Sequence, residues 1–211
     1  MDVEQSIKPL AAPYGAVKGS RNALVGICVG HSRIGDKGAV GLSGVSEWQY
    51  NKTIAELLSI ELKKRNVKSL VFSTYQGTGY GSAMAWIATQ LNVFKVDFAV
   101  ELHFNSADSP SANGYEFLYW HKSTRSKQIC ELFRSVFTKK YPSHNDRGIK
   151  MLTQESRGAL FTRLTSMPAV ILEPFFGSNK REWEYFSESK GAMMDLVNSY
   201  ADAIESCVVS L

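Results

Sequence analysis

The sequence predicts an α/β fold: a mainly parallel, twisted sheet of about five or six strands, with helices on both faces and a site at the carboxyl ends of the strands. Three observations carry this. Short apolar runs alternate with amphipathic segments along the 211 residues. Most of these runs, such as ALVGICV (23–29) and AVILE (169–173), are apolar without alternation, as strands buried on both faces are. Strands alternating with helices build parallel sheets covered on two sides, whose sites lie beyond the carboxyl ends of the strands. The length suits one domain with a single core. Residues 1–20, with Pro9, Pro13, Gly15 and Gly19 and little periodicity, read as an irregular lead-in to a domain over 21–211.

The first strand is 23–29. A Gly-rich loop follows, and then Ser46-Glu47-Trp48-Gln49, an S-x-x-Q capping box. Behind it Tyr50, Ile54, Leu57, Leu58 and Leu62 repeat at helical spacing, which predicts a helix from about Glu47 to Arg65. SLVFST (69–74) is the next strand, and QGTGYG links it to a helix over 82–91. DFAVELHF (97–104) and GYEFLYW (114–120) are strands, and 123–137 is a helix with Ile129, Leu132, Phe133 and Val136 on one face. AVILE (169–173) is the last strand, followed by helices near 179–186 and 190–208. The apolar stripe of the final helix, from Met193 to Val208, predicts docking on the sheet.

The composition, 44% hydrophobic and 21% charged, is that of a globular domain and excludes disorder. A net charge of +4 mildly favours anionic surfaces, but the basic clusters Lys63-Lys64-Arg65 and Lys139-Lys140 fall at helix C-termini, where cations complement the dipole. With no aromatics interleaved among basic runs, a nucleic-acid partner is not expected. Cys28, Cys130 and Cys207 form no CxxC pair and read as small core residues. The start of the chain lacks a signal-peptide pattern, and no run suits a membrane span, so a product made in the cytoplasm without stable membrane insertion is expected.

His31 follows the first strand by two residues, His103 ends the third, Glu173 ends the last, and Glu47 opens the first helix. All four therefore fall at one edge of one sheet. Two imidazoles and a carboxylate suit zinc with a fourth position for water, leaving a second carboxylate as a base. Each alone has a plainer account: dipole and capping chemistry for Glu47, a hydrogen-bonded structural role for either histidine, a strand-ending turn for Glu173 before Pro174. The loop lacks the Lys and Ser/Thr of a phosphate-binding P-loop. His121 and His144 read as residues of solvated loops.

Four stretches together resemble the zinc-dependent N-acetylmuramoyl-L-alanine amidases, the cell-wall amidases of autolysins and phage endolysins. They are VGHSRIGDKGAVG with the following SGVSEWQ, ELHFN (101–105), RGIK (147–150) and MPAVILEPFFGSN (167–179). The resemblance spans roughly 23–187. It implies one zinc ion held by His31, Glu47 and His103, and Glu173 as the catalytic carboxylate. It also implies hydrolysis of the amide between the lactyl group of N-acetylmuramic acid and L-alanine in peptidoglycan. HSRIG replaces the usual HGG of the family, and Glu101 stands where the family tends to carry Ser.

Strand alternation puts Glu101 on the face of His103, either as a partner behind a ligating histidine or as a carboxylate paired with Lys or Arg. Asn105, Arg147 and Asn179 are candidates for substrate contact; the plainer account is that the asparagines order turns and Arg147 forms a surface ion pair. By analogy with the family the chain is expected to be a monomeric phage lysin, released to the wall and periplasm by a separate holin-type protein. Two alternatives share the residues: a zinc peptidase cutting within the stem peptide, and a non-catalytic wall-binding module.

Overall fold

A computed structural model describes residues 22–210 of the chain. The reading of 1–20 as a lead-in lies outside the described residues. The elements in order are β1 (Leu24–Val29), α1 (Glu47–Lys64), β2 (Lys68–Phe72), α2 (Tyr80–Phe94), β3 (Phe98–Leu102), β4 (Tyr115–Trp120), α3 (Thr124–Lys140), β5 (Asp146–Leu152), α4 (Ala159–Leu164), β6 (Ala169–Glu173), α5 (Lys180–Ser187) and α6 (Lys190–Ser210). They form one six-stranded sheet of order β2-β1-β3-β6-β4-β5.

The chain runs from β1 to β2 on one side, then crosses to β3 on the other side of β1. The connections leaving the carboxyl ends of β1 and β3 diverge there, and such a switch point opens a crevice. His31 follows β1 at this switch point and His103 follows β3. Strands β2, β1, β3 and β6 are mutually parallel, but β4 pairs antiparallel with β6, and β5 is parallel to β4. The sheet is thus mainly parallel with a reversed pair at one side. The amino ends of β4 and β5 therefore lie at the edge reached by the carboxyl ends of the other strands.

The apolar strands bury both faces. Val25, Ile27, Val29, Val100, Leu102, Val170 and Leu172 pack in one cluster with buried residues of α1, α3 and α6. Cys28, Ala99, Ala169 and Ile171 pack in another with those of α2 and α4. Ser46 caps α1 by accepting from the Gln49 N–H at 3.2 Å, as the capping signal requires. Arg65 at the other end does more than face the helix dipole: its Nη1 bonds Asp202 at 2.6 Å and Glu205 at 2.7 Å, tying α1 to α6. The final helix lies against α1 and α3, with Tyr200 packed on Phe133 and Phe137. All three cysteines are buried and free.

Two elements have no counterpart in the sequence reading. β5 is an edge strand with little buried side chain, so its stretch has no apolar run. α4 spans six residues, too short for a periodic signal. His144 also departs from expectation. It is half-buried among Tyr141, Tyr185 and Phe186, and burial with the nearby Arg181 holds its pKa below the ordinary value.

Candidate metal centre and active site

The first turn of α1 projects past the end of the sheet and places the buried Glu47 between the two histidines. Its Oε2 is 3.2 Å from His31 Nε2, and its Oε1 is 2.8 Å from His103 Nδ1. The same carboxylate accepts the Ala39 N–H at 2.9 Å and the Phe104 N–H at 3.1 Å, so its orientation is fixed from both sides. One ligand atom from each of His31, Glu47 and His103 lies within 4.8 Å of the others, and no other trio of this kind occurs among the described residues. Donor atoms about 2.0–2.2 Å from a zinc ion stand a little over ~3 Å apart around it, so the His31–Glu47 separation suits a shared cation.

The glycines of the loop make room for this arrangement. A Cβ at Gly30 would collide with the His103 ring, and one at Gly38 would meet His31 and Glu47. His31 itself adopts φ +67°, a left-handed conformation uncommon for a residue with a side chain and typical of places where local strain serves a site.

Each histidine has a carboxylate behind it. Asp36 Oδ1 is 3.0 Å from His31 Nδ1, and Glu101 Oε2 is 3.3 Å from His103 Nε2. Glu101 pairs with His103, and no Lys or Arg pairs with it among the described residues. Carboxylates placed this way fix the tautomer and ring orientation of ligating histidines. Asp36 lies inside the loop motif, five residues past His31, and spacing alone gives no sign that the loop curls back to bring it there.

In one row along the same face of the sheet, His103 just after β3 is followed by Glu173 on β6 and then by Glu116 on β4. The Oε2 of Glu173 is buried without a hydrogen-bond partner, as is the Oε1 of Glu101. Burial raises the pKa of Glu173 to about 8; His103 pulls it down, and Glu47, Glu116 and Glu101 push it up. Burial alone would depress the His103 pKa, but Glu101 and Glu47 outweigh it and hold it well above the ordinary value. His31 is raised by Glu47 and Asp36 against burial and the repulsion of His103. The two histidines in turn overcome burial at Glu47 and hold its pKa far below the usual carboxylate range. Four carboxylates, of Asp36, Glu47, Glu101 and Glu173, thus act on the two histidines, with two buried oxygens left unpartnered. This is the donor chemistry of a site for a divalent cation.

Beyond Glu173, Glu116 accepts from Asn105 Nδ2 at 2.7 Å and from Arg147 Nε at 2.9 Å. The guanidinium of Arg147 also lies over the Phe176 ring at 4.9 Å. Asn179 caps α5 by accepting the Glu182 N–H, and its amide donates to the Pro110 and Ala112 carbonyls. The buried Glu182 accepts the N–H groups of Gly114 and Phe176, both at 2.8 Å, pinning the loops around the site. Glu116 and Glu182 went unread in the sequence, since the motif strand GYEFLYW and the helix after GSN give no reason to single out either.

A three-layer α/β protein with a His–Glu–His cluster that could hold a metal ion, and a buried carboxyl beside it at a sheet switch point, has the make-up of a hydrolase. The family model of the N-acetylmuramoyl-L-alanine amidases matches residues 25–206, and the chain belongs to that family. Hydrolysis of peptidoglycan at that amide is accordingly its reaction. The catalytic domain of CwlV, an N-acetylmuramoyl-L-alanine amidase from Bacillus (Paenibacillus) polymyxa var. colistinus, is 26% identical with a TM-score of 0.72, over 87% of this chain and 97% of that one. The N-acetylmuramoyl-L-alanine amidase of Clostridium difficile 630 is 25% identical with a TM-score of 0.77, over 90% and 99%. The catalytic domain of the CD27L endolysin, which targets Clostridia difficile, shares the fold at 22% identity and a TM-score of 0.67, over 89% and 94%. No curated protein matches the chain. Among the described residues no helix is long and apolar enough to cross a membrane.

Proposed function

We propose that this amidase works with one zinc ion held by His31, Glu47 and His103, and that Glu173 is its catalytic carboxylate. The observation that carries the reading is the convergence of the three ligand atoms beside a buried, unpartnered carboxyl oxygen. A zinc ion bound there would supply an acidified water and a Lewis acid for the amide carbonyl. Glu173 takes a proton from the attacking water and returns it to the nitrogen of the leaving L-alanine. Burial raises its pKa in the metal-free protein, and the charge of a bound divalent ion would lower it again, so that the ionised form can begin the proton transfer. Asp36 and Glu101 hold the two imidazoles in orientation. Asn105 serves the site through Glu116, and Asn179 through the loop at Pro110 and Ala112 that it ties to α5. An endolysin role fits the same chemistry, and the likeness in fold to the CD27L catalytic domain supports it.

The test is digestion of purified peptidoglycan with and without a chelator, followed by mass analysis. The expected products are free stem peptides beginning with L-alanine and glycan chains with unsubstituted lactyl groups, formed only without chelator. Cleavage within the stem would replace the amidase by a peptidase, and binding without cleavage would leave a wall-binding module.

A further inference from the structure

Across the sheet, His103 just after β3, Glu173 on β6, Glu116 on β4 and Arg147 on β5 stand in line. On the amidase reading, which this inference rests on, the first marks the carbonyl of the scissile amide and the second its leaving amine. The next positions therefore face the peptide. Arg147 is shaped for a ligand there. Between the pairs Tyr115–Asp146 and Phe117–Ile149 the register shifts, so Arg147 and Gly148 together oppose Glu116. Gly148 has φ +81°, a conformation that glycine adopts freely. Such a bulge re-aims a side chain. It sets Arg147 with its Nε on Glu116 at 2.9 Å and its flat face over Phe176, while the side chain keeps about a third of its surface open (34%).

An arginine serving only as a structural partner tends to spend its two-pronged end on the carboxylate. Here the pairing uses Nε alone, and no described residue accepts from the Nη atoms. The guanidinium is held through Nε and by the Phe176 ring, near the charge of Glu182, which leaves a pair of Nη groups of the kind that takes a carboxylate with two parallel hydrogen bonds. We propose that Arg147 is a specificity residue that binds a free carboxylate on the stem peptide. Two strand spacings of about 4.8 Å separate β5 from β6. An extended peptide covers that distance in about three residues, which puts the carboxylate on the second or third residue, counting L-alanine as the first.

The test uses four synthetic muramyl peptides, with a free carboxylate or the matching primary amide at residue two or at residue three. The zinc-loaded wild type is expected to prefer the carboxylate at one of the two positions by about tenfold in kcat/KM, with the difference in KM. In Arg147→Gln that preference collapses to within about twofold. Arg147→Lys, which retains the charge beside Glu116 but not the fork, loses most of it and carries the test should the glutamine variant fold poorly. A wild type without preference at either position overturns the proposal. So does a preference that survives in either variant, or a variant slowed alike on all four substrates. A wild type that cleaves none of the four refutes the amidase reading itself.

Discussion

On the proposed mechanism Glu173 takes a proton from water and then gives it to an amine, which its ionised form must begin; burial shifts its pKa upward in the metal-free protein, and a divalent ion beside it would bring it back down. Glu173→Gln should keep the metal, measured by elemental analysis, while hydrolysis falls by about 10²–10⁴-fold; an active variant would remove Glu173 from this role. The same shift has a cost in the metal-free protein. The unfolded chain releases the Glu173 proton near pH 4.5 and the folded chain holds it to about 8. Stability from this group is therefore full below pH 4.5 and is lost as pH rises towards 8. Urea melts of wild type and Glu173→Gln without metal should diverge over that window, the wild type losing stability. At the ligands, protons compete with the metal. Because both histidine pKa values are raised, zinc affinity should already decline before pH is lowered to 6.5, and weaken by up to about 100-fold per unit of falling pH once both are protonated. Competition with a coloured chelator between pH 8 and 6 measures this, and a flat affinity would argue against His31 and His103 as ligands.

Element ends carry the site, and the loops between them are held by few bonds. Glu182 in α5 is the clearest case, since it alone satisfies the buried N–H groups of Gly114 and Phe176. Glu182→Ala should cost roughly 2–4 kcal/mol in urea melts, the penalty for leaving two such donors unpaired; a loss under about 1 kcal/mol would show that the loops close without it. This scale also explains what the sequence discloses. His31, Glu47, His103 and Glu173 sit where a strand ends or a helix begins, and apolar runs and a capping signal mark those places from the chain alone. Asp36 and Glu116 reach the site through loop curvature and through a reversed strand. Neither feature leaves a periodic trace, because an antiparallel β4 and a parallel one have the same apolar pattern. β5 was invisible for a related reason: an edge strand half open to solvent needs few apolar residues.

For the whole molecule, the metal should act as a clamp. His31, Glu47 and His103 come from the β1–α1 loop, α1 and the end of β3, so an ion bridging them ties the Gly-rich loop to the sheet. Zinc at about 100 times its Kd would add roughly 2.7 kcal/mol. For a chain of this size that corresponds to a Tm about 5–10 °C higher than with chelator. An unchanged Tm would mean that the ion does not bind the folded protein.

The reversed β4–β5 pair separates two tasks that a fully parallel sheet would merge. On the proposed mechanism, ion binding and proton transfer rest on the ends of the buried parallel strands, where any change disturbs neighbours on both faces. The wall beyond Glu116 is made of the outermost strand, paired on one side only. Its bulge can be lengthened, shortened or recharged while the chemical half stays as it is, so one catalytic apparatus can be refitted to walls of different composition by altering a few exposed positions around Arg147.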